Sequence, residues 1–257
     1  MPLMWPCFRS MGCCLLWMAA SHSFAGEAYV EKQAMPSPHA TQAAAADEKF
    51  VYAVSSTAIA KLDRATGEEL ALSKGKASHL NSAVILDGKV YAAHSNFPLK
   101  PEQGEIRVLD PETMELGLFH RFDDPPGSLT WALRKGKEWW CHFAHYGKDN
   151  TKSLLLRFDE SWHDTGRWDY PADLVKDWGS ASLSGAVWQG DVLLATGHDH
   201  KRVYRLKLPA EGTTMQWIDT VDAPFPGQGI AADPKTGGLV GIDRTRKAVI
   251  FTVLERR

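Results

Sequence analysis

Trp217-Ile-Asp-Thr-Val-Asp-Ala-Pro-Phe-Pro-Gly-Gln228-Gly-Ile-Ala-Ala-Asp233, near the end of the chain, has a counterpart near its start, Tyr29-Val-Glu-Lys-Gln-Ala-Met-Pro-Ser-Pro-His-Ala-Thr-Gln42-Ala-Ala-Ala-Ala-Asp47. Each reads as a strand, a proline-containing loop, a glutamine, and a strand of small residues ending in aspartate. Related openings occur at His79-Leu-Asn81-Ser-Ala-Val-Ile, Ser128-Leu-Thr130-Trp-Ala-Leu and Ser182-Leu-Ser184-Gly-Ala-Val-Trp. With Gln42, Asn81, Leu129, Ser184 and Gln228 as equivalent starts, the spacings are 39, 48, 55 and 44 residues. Those are the lengths of four-stranded blades.

Within each unit a second strand follows closely: Phe50 to Ser55, Val90 to His94, Trp139 to His145, Val192 to His198 and Leu239 to Asp243. Third strands are expected at Ala58 to Leu62, Glu105 to Leu109, Ser153 to Phe158, Arg202 to Leu208 and Ala248 to Leu254. Asp63-Arg-Ala-Thr-Gly67 and Asp110-Pro-Glu-Thr113 supply turns into fourth strands, because aspartate caps local backbone and proline presets φ. The last unit runs out after its third strand, and one surplus strand near Ala28 to Gln33 precedes the first. Placing it in the last unit predicts an all-β fold, a five-bladed β-propeller whose N-terminal strand closes the last blade. The long third unit is read as carrying loops around Lys148 and Pro171 and no sixth blade.

Residues 1–25 read differently. One positive charge at Arg9, an apolar run from Met11 to Ala20, and Ser23-Phe24-Ala25 at the end make a signal peptide, with a single domain over residues 26–257. The apolar run is short of the roughly 20 residues that span hydrocarbon, so no stable membrane insertion is expected after cleavage. The destination is the periplasm or the exterior. Beyond residue 25 only Cys141 remains, so no intrachain disulfide is available and packing must hold the domain. Cys141, in a Trp-Trp-Cys run, reads as a small buried hydrophobe. A formal charge of -2 without any Lys/Arg stripe argues against nucleic acid as a partner.

In a four-stranded blade, the loop entering the first strand and the loop leaving the second lie on one face, near the central axis. That topology gathers scattered residues. His79 precedes a first strand, while His94, His145 and His198 end second strands, with Asp243 and Ser55 at the matching places. These four histidines form a candidate ligand set for a divalent metal: iron or another transition metal such as zinc, with calcium favouring oxygen donors instead. Satisfied structural or ligand-contacting histidines are the alternative reading. Gln42, Asn81 and Gln228 point to the same mouth, Trp131 and Tyr146 are candidate flat walls for a ligand, and Arg244 is a candidate anion-recognising group. Asp199, beside His198, is the candidate catalytic carboxylate, as a base or as the partner that orients the imidazole. No nucleophile triad, phosphate-binding loop or dinucleotide fingerprint stands out.

The runs Phe50-Val-Tyr-Ala-Val, Ile59 to Gly67, His79-Leu-Asn81, Ala93-His-Ser-Asn96, Phe143-Ala-His-Tyr146, Thr196-Gly-His-Asp199 and Gly227-Gln-Gly-Ile-Ala resemble a group of secreted bacterial propeller proteins, some loosely labelled cycloisomerases. More remotely the chain resembles propeller lactonases and glutaminyl cyclotransferases. That resemblance implies an axial mouth that binds a small molecule and often a metal. Two functions follow as expectations: an exported metal-dependent enzyme, hydrolase or isomerase, acting on a small polar substrate such as a lactone or modified sugar, or a non-catalytic propeller binding a protein, glycan or small ligand through the same face.

Overall fold

The computed structural model describes residues 26–256; the expected signal peptide lies outside the described residues. The chain opens with β1 (Glu27–Pro36) and then forms strands in groups of four. The first group is β2 (Ala43–Ala46), β3 (Phe50–Val54), β4 (Ile59–Asp63) and β5 (Glu69–Leu72), and the second is β6 (Leu80–Leu86), β7 (Lys89–Ser95), β8 (Gly104–Leu109) and β9 (Leu116–Phe122). The third comprises β10 (Ser128–Lys135), β11 (Glu138–Ala144), β12 (Leu154–Phe158) and β13 (Asp164–Asp169). A fourth group holds β14 (Gly185–Gln189), β15 (Val192–Thr196), β16 (Arg202–Lys207) and β17 (Gln216–Asp222), and the chain ends with β18 (Ala231–Ala232), β19 (Leu239–Asp243) and β20 (Ala248–Arg256). A short 3-10 turn (Gly147–Lys152) and α1 (Ala172–Asp177) occupy the Lys148 and Pro171 regions.

The first three groups are separate antiparallel sheets, each in sequence order. The remaining strands form one eight-stranded sheet in the order β14-β15-β16-β17-β1-β20-β19-β18. Its middle is thin, because β1 meets β17 only in a parallel pairing of Ala28 with Asp222. By contrast β1 runs antiparallel to β20 from Glu27↔Arg256 to Pro36↔Ala248, with one irregularity between Glu31 and Gln33. The start of the described chain is thus sewn to its end.

The innermost strand of each group opens on small or buried residues, whereas the fourth strands carry exposed side chains such as Leu70, Leu118 and Ile218. These first strands touch in rotation: β2 with β6, β6 with β10, β10 with β14, β14 with β18, and β18 with β2. Small residues make that convergence possible. A Cβ on Gly229 would lie 2.4 Å from the Ala43 Cβ and 2.9 Å from the Ser82 Cα, and one on Gly185 would lie 2.6 Å from the Gly229 Cα. Only glycine permits such an approach.

Among the described residues, buried apolar side chains divide into five clusters, each between two neighbouring groups of strands. Trp131, Trp140, Leu183, Leu193 and Tyr204 fill one, between the third and fourth groups; Ala44, Val51, Val240 and Phe251 fill another, between the last group and the first. Each fully buried large apolar side chain contributes roughly 1.5–3 kcal/mol. A charge pair crosses the second of these seams. Arg64 Nη2 reaches both Asp233 carboxylate oxygens at 2.6 and 2.8 Å, its Nη1 donates to the Asp47 carbonyl at 2.6 Å, and both side chains are nearly or wholly buried. Among the described residues no helix is long and apolar enough to cross a membrane.

Candidate functional site

At one end of the ring of first strands lies a cavity of about 450 Å3. Its rim collects one residue from the opening of each first strand: Gln42, Asn81, Thr130, Ser184 and Gln228. The next residues inward include Ala43, Ser82, Gly185 and Gly229, whose tight mutual approach floors the cavity. The axis is therefore a cup at this end, of the size that holds a small ligand.

His198, Asp199 and Arg244 stand together on one side of the cup. β15 ends at Thr196, so His198 is carried on the turn that leaves the second strand, and Arg244 follows the last residue of β19. The His198 Nδ1 lies 2.8 Å from Asp199 Oδ2, while its Nε2 lies 3.4 Å from Arg244 Nη1. An ionised carboxylate only accepts and a guanidinium only donates. In the neutral imidazole the pair therefore places the hydrogen on Nδ1 and the lone pair on Nε2. Among the described residues Arg244 forms no ion pair, unlike Arg64, Arg202 and Arg246, whose charges are met by Asp233, Asp177 and Glu31.

Opposite stand His79, Phe97 and Tyr146. The His79 Nδ1 donates to the Phe97 carbonyl at 3.1 Å, and the Phe97 and Tyr146 rings sit 4.5 Å apart. Burial raises the Tyr146 phenol above its ordinary pKa, so it stays protonated at neutral pH. A third wall is the segment Ser180–Ser184, fastened from below by a buried chain. Tyr170 OH lies 2.8 Å from His142 Nδ1, His142 Nε2 lies 3.0 Å from Ser182 Oγ, and Ser182 donates to Ser153 Oγ at 3.0 Å. Because Ser153 passes its own hydrogen to the His145 carbonyl, His142 must donate from Nε2 and accept at Nδ1. Complete burial pushes its pKa down to about 3, so it is neutral.

Of the residues singled out in the sequence, Gln42, His79, Asn81, Tyr146, His198, Asp199, Gln228 and Arg244 line the cup. Trp131 does not. It is wholly buried and stacks on His142 at 5.3 Å, because an irregularity in pairing between Leu129 and Trp131 turns Thr130 to the rim in its place. Thr130 was legible in the alignment of His79-Leu-Asn81, Ser128-Leu-Thr130 and Ser182-Leu-Ser184, which makes it, and not Leu129, the equivalent of Asn81. Phe97 and the Ser180-Ala181 wall had no signal, being placed by long loops.

The four-histidine metal set is corrected. His79 and His198 line the cup, but His94 opens onto a separate shallow hollow beside Lys76, and His145 onto a third cavity beside Pro98 and Asp149. Among the described residues no three His, Cys, Asp or Glu side chains converge to hold a metal. The chemistry of the individual rings agrees. The His94 Nε2 accepts the Ser78 backbone N–H at 3.1 Å and its Nδ1 faces Glu105 at 3.3 Å, leaving no lone pair for an ion. Burial, only partly offset by Glu105, lowers its pKa and keeps it neutral. His198 presents its free nitrogen to a guanidinium, whose charge repels a cation. The residues present do not fit a histidine-bound iron or zinc.

No protein-family model matches the chain, and no curated protein matches it. Among solved structures, it is similar to the glutaminyl cyclase of Myxococcus xanthus, with a TM-score of 0.62 and 10% identity over 90% of this chain and 98% of that one. The likeness is one of fold. It gives an all-β, propeller-like architecture. Weaker likenesses are to a chain of a mitotic checkpoint complex (TM-score 0.44, 9% identity, 81% of this chain and 62% of that one) and to the computationally designed Ika8 protein (TM-score 0.40, 10% identity, 82% and 57%).

Proposed function

We propose that the chain is an exported five-bladed propeller enzyme that moves a proton on a small polar substrate held in the axial cup. Five strand groups, five interleaved apolar clusters and the rotation of contacts among first strands support the blade count. The observation that carries the catalytic reading is the His198 imidazole. Asp199 holds its Nδ1–H, and its Nε2 lone pair faces Arg244 on the same wall of the cavity, an arrangement that suits a general base oriented by a carboxylate once a substrate takes the guanidinium. Asp199 then positions the base and is not itself the proton acceptor, and Arg244, which meets no carboxylate among the described residues, holds an anionic group or a developing negative charge.

One observation favours the alternative of a binding propeller: the 3.4 Å approach of Arg244 to Nε2 makes His198 and Arg244 a shared clamp when no substrate separates them. A turnover screen with lactones, N-terminal glutaminyl peptides and modified sugars separates the two. The fold likeness to a glutaminyl cyclase puts the second group on the panel. Turnover of one class that falls about 10²- to 10⁴-fold in His198→Gln, the range of general acid–base contributions, supports the enzyme. Turnover indifferent to His198→Gln overturns its role, and thermal stabilisation by a panel compound without turnover makes the cup a binding site only.

A further inference from the structure

The hydrogen-bond directions in the cup define what its occupant must offer. Asn81 Nδ2 donates to the Leu129 carbonyl at 2.9 Å and lies 3.4 Å from the His79 carbonyl, and Gln228 Nε2 donates to the His198 carbonyl at 3.1 Å. Carbonyl oxygens accept only, so neither amide can be turned over; the nitrogen ends are fixed into the scaffold. Among the described residues their oxygen ends, Asn81 Oδ1 and Gln228 Oε1, have no protein donor. Nor are they sealed in: among the described residues the buried side-chain polar atoms without a partner are Glu102 Oε2, Arg107 Nε and four indole nitrogens. The two amide oxygens therefore reach the open space of the cavity that their residues line.

The same bias recurs around the rim. Thr130 Oγ1 spends its only hydrogen on the Leu183 carbonyl at 2.8 Å, leaving lone pairs. His79, donating from Nδ1 to Phe97, leaves Nε2 as an acceptor in its neutral form. Gln42 is the adaptable member, because its partner at 3.0 Å, the Ser56 hydroxyl, serves as donor or acceptor. The rim is thus rich in unsatisfied acceptors, while the charge-bearing donor, Arg244, stands at one side.

Resting on the reading of this cup as the functional site, we infer that its substrate is a zwitterion, with a primary ammonium on the Asn81, Thr130 and Gln228 oxygens and a carboxylate on Arg244. An ammonium brings three donors and no acceptor, the complement of such a rim. A phosphate, sulfate or lactone headgroup brings acceptors alone and leaves the rim oxygens desolvated without partners, which costs affinity. Amino acids and short peptides are the matching chemical class; lactones are not.

Isothermal titration with glycylglycine, 4-aminobutyrate and 6-aminohexanoate tests this, alongside their N-acetyl and C-amide derivatives. At least one free zwitterion should bind, with N-acetylation and C-amidation each weakening binding at least about tenfold, as loss of a charge-assisted contact does. The C-amide penalty should vanish in Arg244→Ala, whose wild-type affinity is already lost. Gln42→Glu, which Ser56 can still satisfy by donating, should tighten the free amines and leave the N-acetyl forms unchanged. Equal binding of N-acetyl and free forms, or no binding by any zwitterion, overturns the inference. His198-dependent turnover of a lactone would sink the zwitterion while sustaining the enzyme. A panel without binding or turnover in any class would sink both.

Discussion

Breaking the Arg64–Asp233 pair should destabilise the whole ring, because it ties the first group of strands to the last. Arg64 follows β4 and Asp233 follows β18, so the bond crosses the seam at which the chain must close on itself. The guanidinium also lies over the Phe251 ring at 4.8 Å. In Arg64→Met the apolar stem survives, but the Asp233 carboxylate, with no exposed side-chain surface, loses its counter-charge. Removing one partner of a buried pair costs about 3–5 kcal/mol. The Thr236 hydroxyl at 2.7 Å and the Lys235 backbone N–H at 3.2 Å still donate to the carboxylate, which places the expectation near the lower end, about 3 kcal/mol. For a domain of this size that lowers the melting temperature by roughly 6–12 °C. Asp233→Asn should cost a comparable amount. The double variant should cost clearly less than the two singles together, since it leaves no orphaned charge. Equilibrium urea unfolding followed by tryptophan fluorescence reads all three. Single-variant losses below about 1 kcal/mol, the range of solvent-exposed pairs in general, would refute the claim that this contact closes the ring.

Three further outcomes are expected. His142 is held neutral in the fold with its pKa pushed down from 6.5 to about 3, so below pH 6.5 the unfolded chain binds a proton that the native chain refuses. Stability present above pH 6.5 is therefore lost as pH falls, by about 1.4 kcal/mol per unit from this group. His142→Gln, which can keep one donor and one acceptor, should flatten the pH dependence of unfolding by about 2–3 kcal/mol between pH 6.5 and 4.5; an unchanged slope refutes the buried neutral imidazole. Gly229→Ala pushes a methyl into Ala43 and Ser82 and should cost about 1–3 kcal/mol or more, whereas Gly117→Ala, which meets only the Val108 carbonyl at 3.9 Å, should cost less in the same melt. Cys141 is wholly buried and its thiol pKa is raised by desolvation, so a thiol reagent should label it only after denaturant is added, and rapid native labelling would contradict its place between β10 and β12.

Strand order and grouping could be read from the sequence because both depend on local chemistry. Alternating or β-branched runs bounded by Asp-x-x-Thr-Gly turns report directly on where the backbone reverses: Asp63 accepts from Ala65 and Thr66, and Gly67 takes φ +79°, as the residue types require. The pairing of β1 with β20 was readable for a related reason, since a surplus strand at one end and a missing one at the other have a single economical partner. The site was readable only up to the limit of register. The sequence places four histidines at similar distances along their units, but one residue of difference on a strand reverses the face, and a loop can carry a ring out of reach. His94 lies within β7 and is captured by Ser78 and Glu105, whereas His198 lies beyond β15 on a turn and meets Asp199 and Arg244. Nothing in residue type distinguishes those two positions; the length of each strand does. For the same reason Trp131 moved from the rim to the core and Thr130 took its place, at an irregularity that no propensity scale marks. What the geometry added is a polarity. Asn81 and Gln228 are neutral amides in the sequence, equally able to donate and accept. They become acceptors only because the Leu129 and His198 carbonyls claim their nitrogens, so the specificity of the cup is set by the backbone behind it.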